Sequence, residues 1–294
     1  MLPVLPINPP GSDLGRENAI LSGSSAHYHV PEFEGCLSIK SVMRGSAAWE
    51  TGGRRFVVDQ HCYLILNDRQ HYTLTIDGPR TASTFCLFFQ RGFVEEINRA
   101  MTAREEELLD APQNSSSPKL DFFNRLEPRD SAVLGLLRGF RSALLAERMS
   151  PGAWDGCFLR IAAQLARERR DTARAIANLP AVRSATRVEI YRRLLRGRDL
   201  LLSSLREPVR LKDLAAASCL SPYHFHRSFT RAFQQTPHQY LTRHRLQRAA
   251  HLLRQTGLSV TEICFEAGFE SPASFSDLFH RHFGAPPRRY RRGN

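Results

Sequence analysis

Ser221-Pro222-Tyr223-His224-Phe225-His226-Arg227-Ser228-Phe229-Thr230-Arg231-Ala232-Phe233 is answered fifty residues later by Ser271-Pro272-Ala273-Ser274-Phe275-Ser276-Asp277-Leu278-Phe279-His280-Arg281-His282-Phe283. The two stretches share a Ser-Pro start, phenylalanines at every fourth position and an arginine two residues before the last of them. The match runs on, since Pro237 and Tyr240 recur as Pro287 and Tyr290. A repeat at fixed offset marks a duplicated structural unit. Within each copy, Ser221 or Ser271 can accept a hydrogen bond from an orphan amide of the first helical turn, and Pro222 or Pro272 fills the first helical position, where no amide donor is needed. Two helix starts follow. Phenylalanines at i, i+4 and i+8 form an inward stripe, which turns Tyr223, His226 and Arg227 outward in the first helix and Ala273, Ser276 and Asp277 outward in the second.

A shorter apolar-periodic helix precedes each: Leu211–Ala217 and Val260–Ala267, the latter capped by Ser259 with Glu262 three residues on completing a capping box. The turns differ by one residue, Gly268-Phe269-Glu270 standing in place of Cys219-Leu220. Helix, tight turn and capped second helix are the helix-turn-helix plan, present twice. Between the copies, His238 to Gln255 forms one helix with Leu241, Leu246, Ala249, Ala250, Leu252 and Leu253 on its buried side and Gly257 as its expected stop. At about 1.5 Å per residue this rod is roughly 27 Å long, which suits placement of two helices in successive major-groove segments roughly 34 Å apart.

Charge supports a polyanionic partner. The 294 residues carry a net charge of +12, and residues 195–294 hold 16 Arg and Lys against 7 Asp and Glu. A basic surface confined to one third of the chain gains affinity for nucleic acid by releasing phosphate counterions; a merely solvated basic face is the competing reading. The six cysteines are far apart without a C-x-x-C pair, which excludes zinc-ribbon spacing and a small disulfide framework, and leaves reduced, mostly buried thiols as the expectation. No secretory leader and no apolar run of membrane-spanning length is present, so the expected location is cytoplasmic. No Ser/His/Asp elbow, glycine-rich phosphate loop or paired helical carboxylates occur, so no catalytic residue and no cofactor is assigned.

The front half has a different period. Short β-like runs at Cys36–Val42, Arg55–Val58, Tyr63–Leu66, Tyr72–Ile76 and Thr84–Phe89 are parted by Gly45, Gly52-Gly53, Asn67-Asp68 and Asp77-Gly78, the pattern of a sandwich or barrel. Residues 1–20 read as a flexible arm, 21–110 as a β-barrel domain, 111–119 as a linker, 120–184 as a helical connector and 185–294 as an all-α domain. In the connector, Val133, Leu134, Leu137, Phe140, Leu144 and Leu145 form one stripe and Phe158, Ile161, Ala162 and Leu165 another. Their partner is each other, the β domain or a second subunit. A further helix is expected from about Arg187 to Leu205.

The second repeat unit, from Ile263 through Ala267-Gly268-Phe269-Glu270-Ser271 to Phe283-Gly284-x-Pro286-Pro287-x-x-Tyr290-Arg291, resembles the DNA-binding domain of the AraC/XylS family of transcription regulators. The stretch Leu220 to Phe229 looks like that family's first recognition helix. The resemblance covers about a third of the chain. It implies a sequence-specific regulator of α+β class with two helix-turn-helix units. Its base and phosphate contacts would come from Tyr223, His224, His226, Arg227, Arg231, Ala273, Ser274, Ser276, Asp277, His280 and Arg281. Many relatives carry an amide or basic side chain where Ala273 and Asp277 stand, so the first helix is expected to dominate affinity. Arg288 to Arg292 is either a phosphate clamp or a solvated tail. His224, His226, His244 and His251 are expected at the surface or facing DNA.

The front half looks like a cupin-type effector and dimerisation domain, from His27-x-His29 through Gly53-Arg54-Arg55-Phe56 and Asn67. The implied partners are double-stranded DNA, a small-molecule effector, RNA polymerase and a second copy of the chain, with no membrane. His27, His29, Glu34 and His71 invite a cupin metal site, but the glycine expected after the acidic residue is misplaced, and no metal is assigned. Trp49, Tyr63 and Tyr72 are read as core aromatics ahead of an effector lining. The alternative functions are a cupin-type metal-dependent enzyme and a nonspecific nucleic-acid-binding module.

Overall fold

The computed structural model describes residues 14–103, 119–128, 131–146 and 151–292. The expected linker residues 111–118 and arm residues 1–13 lie outside these. Two compact units are present, residues 1–171 and 172–294.

The first unit is built on one antiparallel sheet of seven strands: β1 (Ala19–Gly35), β2 (Ser38–Arg44), β3 (Ser46–Thr51), β4 (Arg54–Asp59), β5 (Cys62–Leu66), β6 (Gln70–Phe88) and β7 (Leu126–Pro128). The order is β4-β3-β6-β2-β5-β7, with β1 on the other edge of β6. The sheet is barrel-like and nearly closed, because β6 serves two neighbours in turn: Thr73, Leu74 and Thr75 pair with β3, and Ser83 to Phe88 pair with β2.

The spacing of Asp77-Gly78 predicts a break between two strands at Tyr72–Ile76 and Thr84–Phe89. The structure corrects this: β6 runs through, and the break is a bulge. Ser25 faces Ala82 and His27 faces Asp77, so residues 78–81 have no opposite partner and swing outward. Pro79 is tolerated there because a bulged residue owes the ladder no amide. The extra residues bend the strand where its second edge changes partner. Much of β1 is likewise absent from the sequence reading, since Ser22-Gly23-Ser24-Ser25 looks like loop; in the sheet Ser22 Oγ donates to the Thr84 carbonyl at 3.0 Å. At the start of the described chain, the Gly15 carbonyl accepts from the Arg91 amide and Asn18 Oδ1 accepts from the Gln90 amide, both at 2.9 Å.

Alternation sends the two faces of the sheet into two cores. Ile39, Tyr63, Ile65, Phe85, Leu87 and Phe89 face a layer of helices, α2 (Ala132–Leu145) and α3 (Pro151–Ala177), which present Val133, Leu134, Leu137, Phe140, Phe158, Ile161 and Leu165. The two apolar stripes of residues 133–165 therefore meet each other and the sheet. A short helix, α1 (Phe93–Ala100), follows β6 and adds the buried Val94. Tyr63 reaches through this layer, its hydroxyl donating to Glu168 Oε2 at 2.9 Å beside Ser131, the N-cap of α2. Burial, with Glu127 nearby, pushes the Glu168 carboxyl up.

The opposite face encloses Leu21, Cys36, Val42, Trp49, Phe56, Val58, Leu64, Leu66, Tyr72, Leu74, Cys86 and Phe88. Trp49 and Tyr72 are thus core aromatics of the barrel interior, and Tyr63 belongs to the helix-facing core. All six cysteines are free thiols; Cys62 is half-buried, Cys219 exposed, and the other four buried. The histidines considered as metal ligands lie on β1 and β6 in separate pairs: His27 Nδ1 with Asp77 at 2.9 Å, His29 Nδ1 with Thr75 Oγ1 at 3.1 Å, and His71 Nε2 with Glu34 at 3.6 Å. Among the described residues no three His, Cys, Asp or Glu side chains converge as a metal site, and no helix is long and apolar enough to cross a membrane.

The second unit is all-α: α4 (Ser184–Ser203), α5 (Leu211–Ala217), α6 (Pro222–Phe233), α7 (Pro237–Gln255), α8 (Val260–Glu266), α9 (Pro272–Phe283) and α10 (Pro287–Arg292). Gly257 is not what stops α7. Thr256 leaves the helix in an extended conformation, while its amide and hydroxyl both donate to the Leu252 carbonyl, at 3.0 and 2.7 Å.

Lys40 is the one ammonium in the barrel interior among the described residues, 1% exposed, and burial lowers its pKa from 10.5 to about 8. The folded chain thus gives up this proton at lower pH than the unfolded chain does. Lys40→Met should raise the unfolding free energy at neutral pH by roughly 2–3 kcal/mol. That gain should shrink as pH climbs from about 8 toward 10.5. Denaturant unfolding of both proteins at several pH values checks this, and a variant no more stable than wild type at pH 7 would contradict it.

Candidate nucleic-acid interface

Each repeat unit begins with a short helix that ends the same way. After α5 the amides of Cys219 and Leu220 donate to the carbonyls of Ala216 and Ala215, both at 2.9 Å; after α8 those of Gly268 and Phe269 donate to Phe265 at 2.9 Å and Cys264 at 3.0 Å. These are two Schellman turns, each with its pivot in the left-handed region: Cys219 at φ 51° and Gly268 at φ 93°. One residue separates pivot from N-cap in the first unit and two in the second, which is the expected one-residue difference. Ser221 Oγ and Ser271 Oγ then accept from the amides of His224 and Ser274 at 3.3 and 3.4 Å.

Capping continues along the unit. Ser259 and Glu262 form the expected box, with Ser259 N donating to the carboxylate at 2.7 Å and Glu262 N donating to Oγ at 3.2 Å, and these bonds lower the Glu262 pKa. A second box, Thr236 with Gln239, starts α7 and was readable as a T-x-x-Q spacing.

The repeated aromatics are one constellation built twice. Phe229 lies 5.3 Å from Phe225, 4.4 Å from Phe233 and 5.5 Å, edge-on, from Tyr240. Phe279 lies 5.6 Å from Phe275, 4.5 Å from Phe283 and 5.3 Å, edge-on, from Tyr290. The first two phenylalanines of each helix are fully buried, which fixes how each helix is rolled about its axis.

That roll turns the expected residues outward. On α6, Tyr223, His224, His226, Arg227 and Arg231 are exposed, Tyr223 by 75%. On α9, Ala273, Ser274, Asp277, His280 and Arg281 are exposed, while Ser276 is half-buried and its hydroxyl donates back to the Pro272 carbonyl at 2.8 Å. Among the described residues no acid pairs with Arg227, Arg231 or Arg281. The expectation for His244 is corrected: it is 5% exposed, its ring 4.5 Å from that of Tyr240. A histidine four residues after an aromatic on a buried helical stripe packs as an aromatic does.

Several basic residues that sequence alone would count toward the interface hold the fold instead. Arg245 donates to the carbonyls of Leu205 at 2.7 Å and Glu207 at 3.1 Å. Arg248 donates to the last carbonyl of α8 at 3.1 Å, and Arg206 pairs with Glu266. In the Arg288–Arg292 run, Arg291 donates to the Leu258 carbonyl, whereas Arg288, Arg289 and Arg292 are exposed.

Residues 214–293 match the helix-turn-helix domain family. The regulator GbdR of Pseudomonas aeruginosa is 36% identical over 94 residues, 32% of this chain and 26% of that protein. The transcriptional activator RhaS of Shigella boydii is 45% identical over 99 residues, 32% of this chain and 36% of that one. A solved regulator from Chromobacterium violaceum, described as an AraC-type DNA-binding domain protein, is 30% identical. The alignment covers 35% of this chain and 91% of that one, at a TM-score of 0.34. The class of the C-terminal unit is therefore a helix-turn-helix domain. That unit is similar to the DNA-binding domain of the AraC/XylS family. The match spans about a quarter to a third of the length of these curated relatives.

The pivots differ in tolerance. A Cβ on Gly268 would lie 2.1 Å from the Leu205 carbonyl oxygen and 2.9 Å from Arg245 Nε. Gly268→Ala should therefore cost more than about 2 kcal/mol of stability, whereas Cys219→Gly, which relieves a left-handed non-glycine residue, should be neutral or stabilise by up to about 1 kcal/mol. Thermal unfolding of the two variants tests the pair; an unaffected Gly268→Ala would contradict the described packing.

Proposed function

We propose that this chain is a cytoplasmic, sequence-specific DNA-binding transcription regulator in which both repeat units act as helix-turn-helix readers. The observation that carries this is the outward face of α6. There a guanidinium without an acid partner among the described residues, two imidazoles and a phenol stand exposed on a helix whose roll is fixed by buried phenylalanines. Arg227 fits the two acceptors of a guanine edge, with Tyr223 and His226 beside it. His224, Arg231 and Arg281 are placed for phosphates, as is His280.

The units divide the work unequally. Ala273 offers only a methyl contact, Ser276 is occupied by its own helix, and Asp277 repels phosphate unless a cytosine amine meets it. The helix between the units is 19 residues long, roughly 28 Å at 1.5 Å per residue, so one subunit can span two half-sites on one face of duplex. The barrel serves as a cupin-like effector and dimerisation domain, and RNA polymerase is the partner that DNA-bound subunits meet.

Arg227→Ala should weaken cognate binding by about 1–3 kcal/mol and relax preference at one or two base pairs. Asp277→Ala should instead strengthen binding to scrambled duplex more than to cognate. Titrating both variants on both duplexes checks this; equal losses for Arg227→Ala on the two would remove its base-reading role. Wild-type affinity should also fall with salt, log against log, at roughly 0.9 per neutralised phosphate. A flat response between low and moderate salt contradicts DNA binding.

A further inference from the structure

Two polar side chains share the interior face of β2, and neither is satisfied there. Ser38 lies opposite Leu66 and Phe88, and Lys40 lies opposite Leu64, all three partners belonging to the barrel core. The Ser38 hydroxyl is fully buried and, among the described residues, has no hydrogen-bond partner. Lys40 Nζ makes one hydrogen bond, to the Tyr72 hydroxyl at 3.0 Å, and lies 3.8 Å from the centroid of the Phe88 ring. The titratable groups acting on it are two thiols, Cys86 and Cys36, which burial keeps in their neutral form. Among the described residues the barrel interior therefore holds a cation with no anion. Burying an ammonium in apolar surroundings is costly, and a methionine of similar length would avoid the cost. Such a residue points to a partner that arrives from outside.

We propose that the barrel interior binds the carboxylate of a small hydrophobic monocarboxylate, with Lys40 Nζ, Ser38 Oγ and the Tyr72 hydroxyl as its donors. This rests on reading the barrel as an effector domain and names the class of effector. Ser38 and Lys40 stand two residues apart on the same face of β2, and the Tyr72 hydroxyl meets Lys40 Nζ, among otherwise apolar side chains. Because Lys40 donates to the Tyr72 oxygen, the Tyr72 proton is free for a ligand oxygen. Carboxylate oxygens carry acceptor sites for all three. The aliphatic and aromatic side chains around them, Leu64, Leu66, Trp49 and Phe56 among them, suit an apolar remainder. An alcohol would leave the ammonium unpaired, and an amine would repel it.

The test uses the full chain and reads thermal stability, since a ligand that binds the folded state raises the midpoint in proportion to its occupancy. Phenylacetate and octanoate are the probes, with 2-phenylethanol and 2-phenylethylamine as matched neutral and cationic controls. At least one carboxylate should raise the midpoint of wild type while both controls leave it unchanged. Lys40→Met, which should fold at least as well, should lose the response, and Ser38→Ala should weaken it by roughly tenfold in Kd. No response to either carboxylate, or an equal response from Lys40→Met, overturns the proposal. Duplex affinity measured on the same samples is a separate reading: carboxylate binding that depends on Lys40 yet leaves DNA affinity unchanged supports the site and contradicts its regulatory use.

Discussion

Everything the C-terminal unit presents to solvent follows from how three phenylalanines and a tyrosine pack in each repeat. Phe225, Phe229 and Phe233 with Tyr240, and Phe275, Phe279 and Phe283 with Tyr290, tie the second helix of each unit to the helix after it. The Schellman turns set where those helices begin, and Ser221 and Ser271 close their first turns. With roll and start both fixed, the outward residues have no choice of direction. The base contact proposed for Arg227 needs a helix held this firmly, because a bidentate contact tolerates little rotation.

The same constraint explains why this half was legible in the sequence. Capping residues, Pro at the first helical position and a four-residue aromatic period are local signals, and each specifies one conformation by itself. The barrel was less legible because its decisive features are non-local. Asp77-Gly78-Pro79 carries every mark of a turn, and only pairing with β1 and β2 makes it a bulge in one continuous strand. Ser22 to Ser25 has no strand-forming composition, yet it pairs along its length with β6. His244 looked solvent-facing by residue type, but its place on the buried stripe of α7 put it against Tyr240. Ser276 had the correct face, and its hydroxyl bond to Pro272 appears only with coordinates.

Charge is the feature that composition describes least well. The C-terminal third is strongly basic, but Arg206, Arg245, Arg248 and Arg291 are spent on carbonyls and on Glu266. The cations left for a polyanion are fewer, and they include Arg227 and Arg231 on α6, Arg281 on α9, and Arg288, Arg289 and Arg292 on α10. The asymmetry between α6 and α9 thus reflects both which residues occur and which are occupied. In the barrel the reverse holds: among the described residues Ser38 Oγ is buried without a partner and Lys40 is buried with the Tyr72 hydroxyl as its one hydrogen-bond acceptor. Sites that break a local rule without structural compensation are where function is expected.

The central claim is that one subunit reads two half-sites with unequal stringency. Selecting duplexes bound by the full chain from a random pool tests it most directly. The account predicts an enriched sequence with one sharply specified half-site, containing a guanine, and a degenerate second one centred about 10 base pairs away, one helical turn of B-DNA. Enrichment of two equally sharp half-sites would contradict the assigned roles of α6 and α9, and a pool that stays unenriched would contradict sequence-specific binding itself.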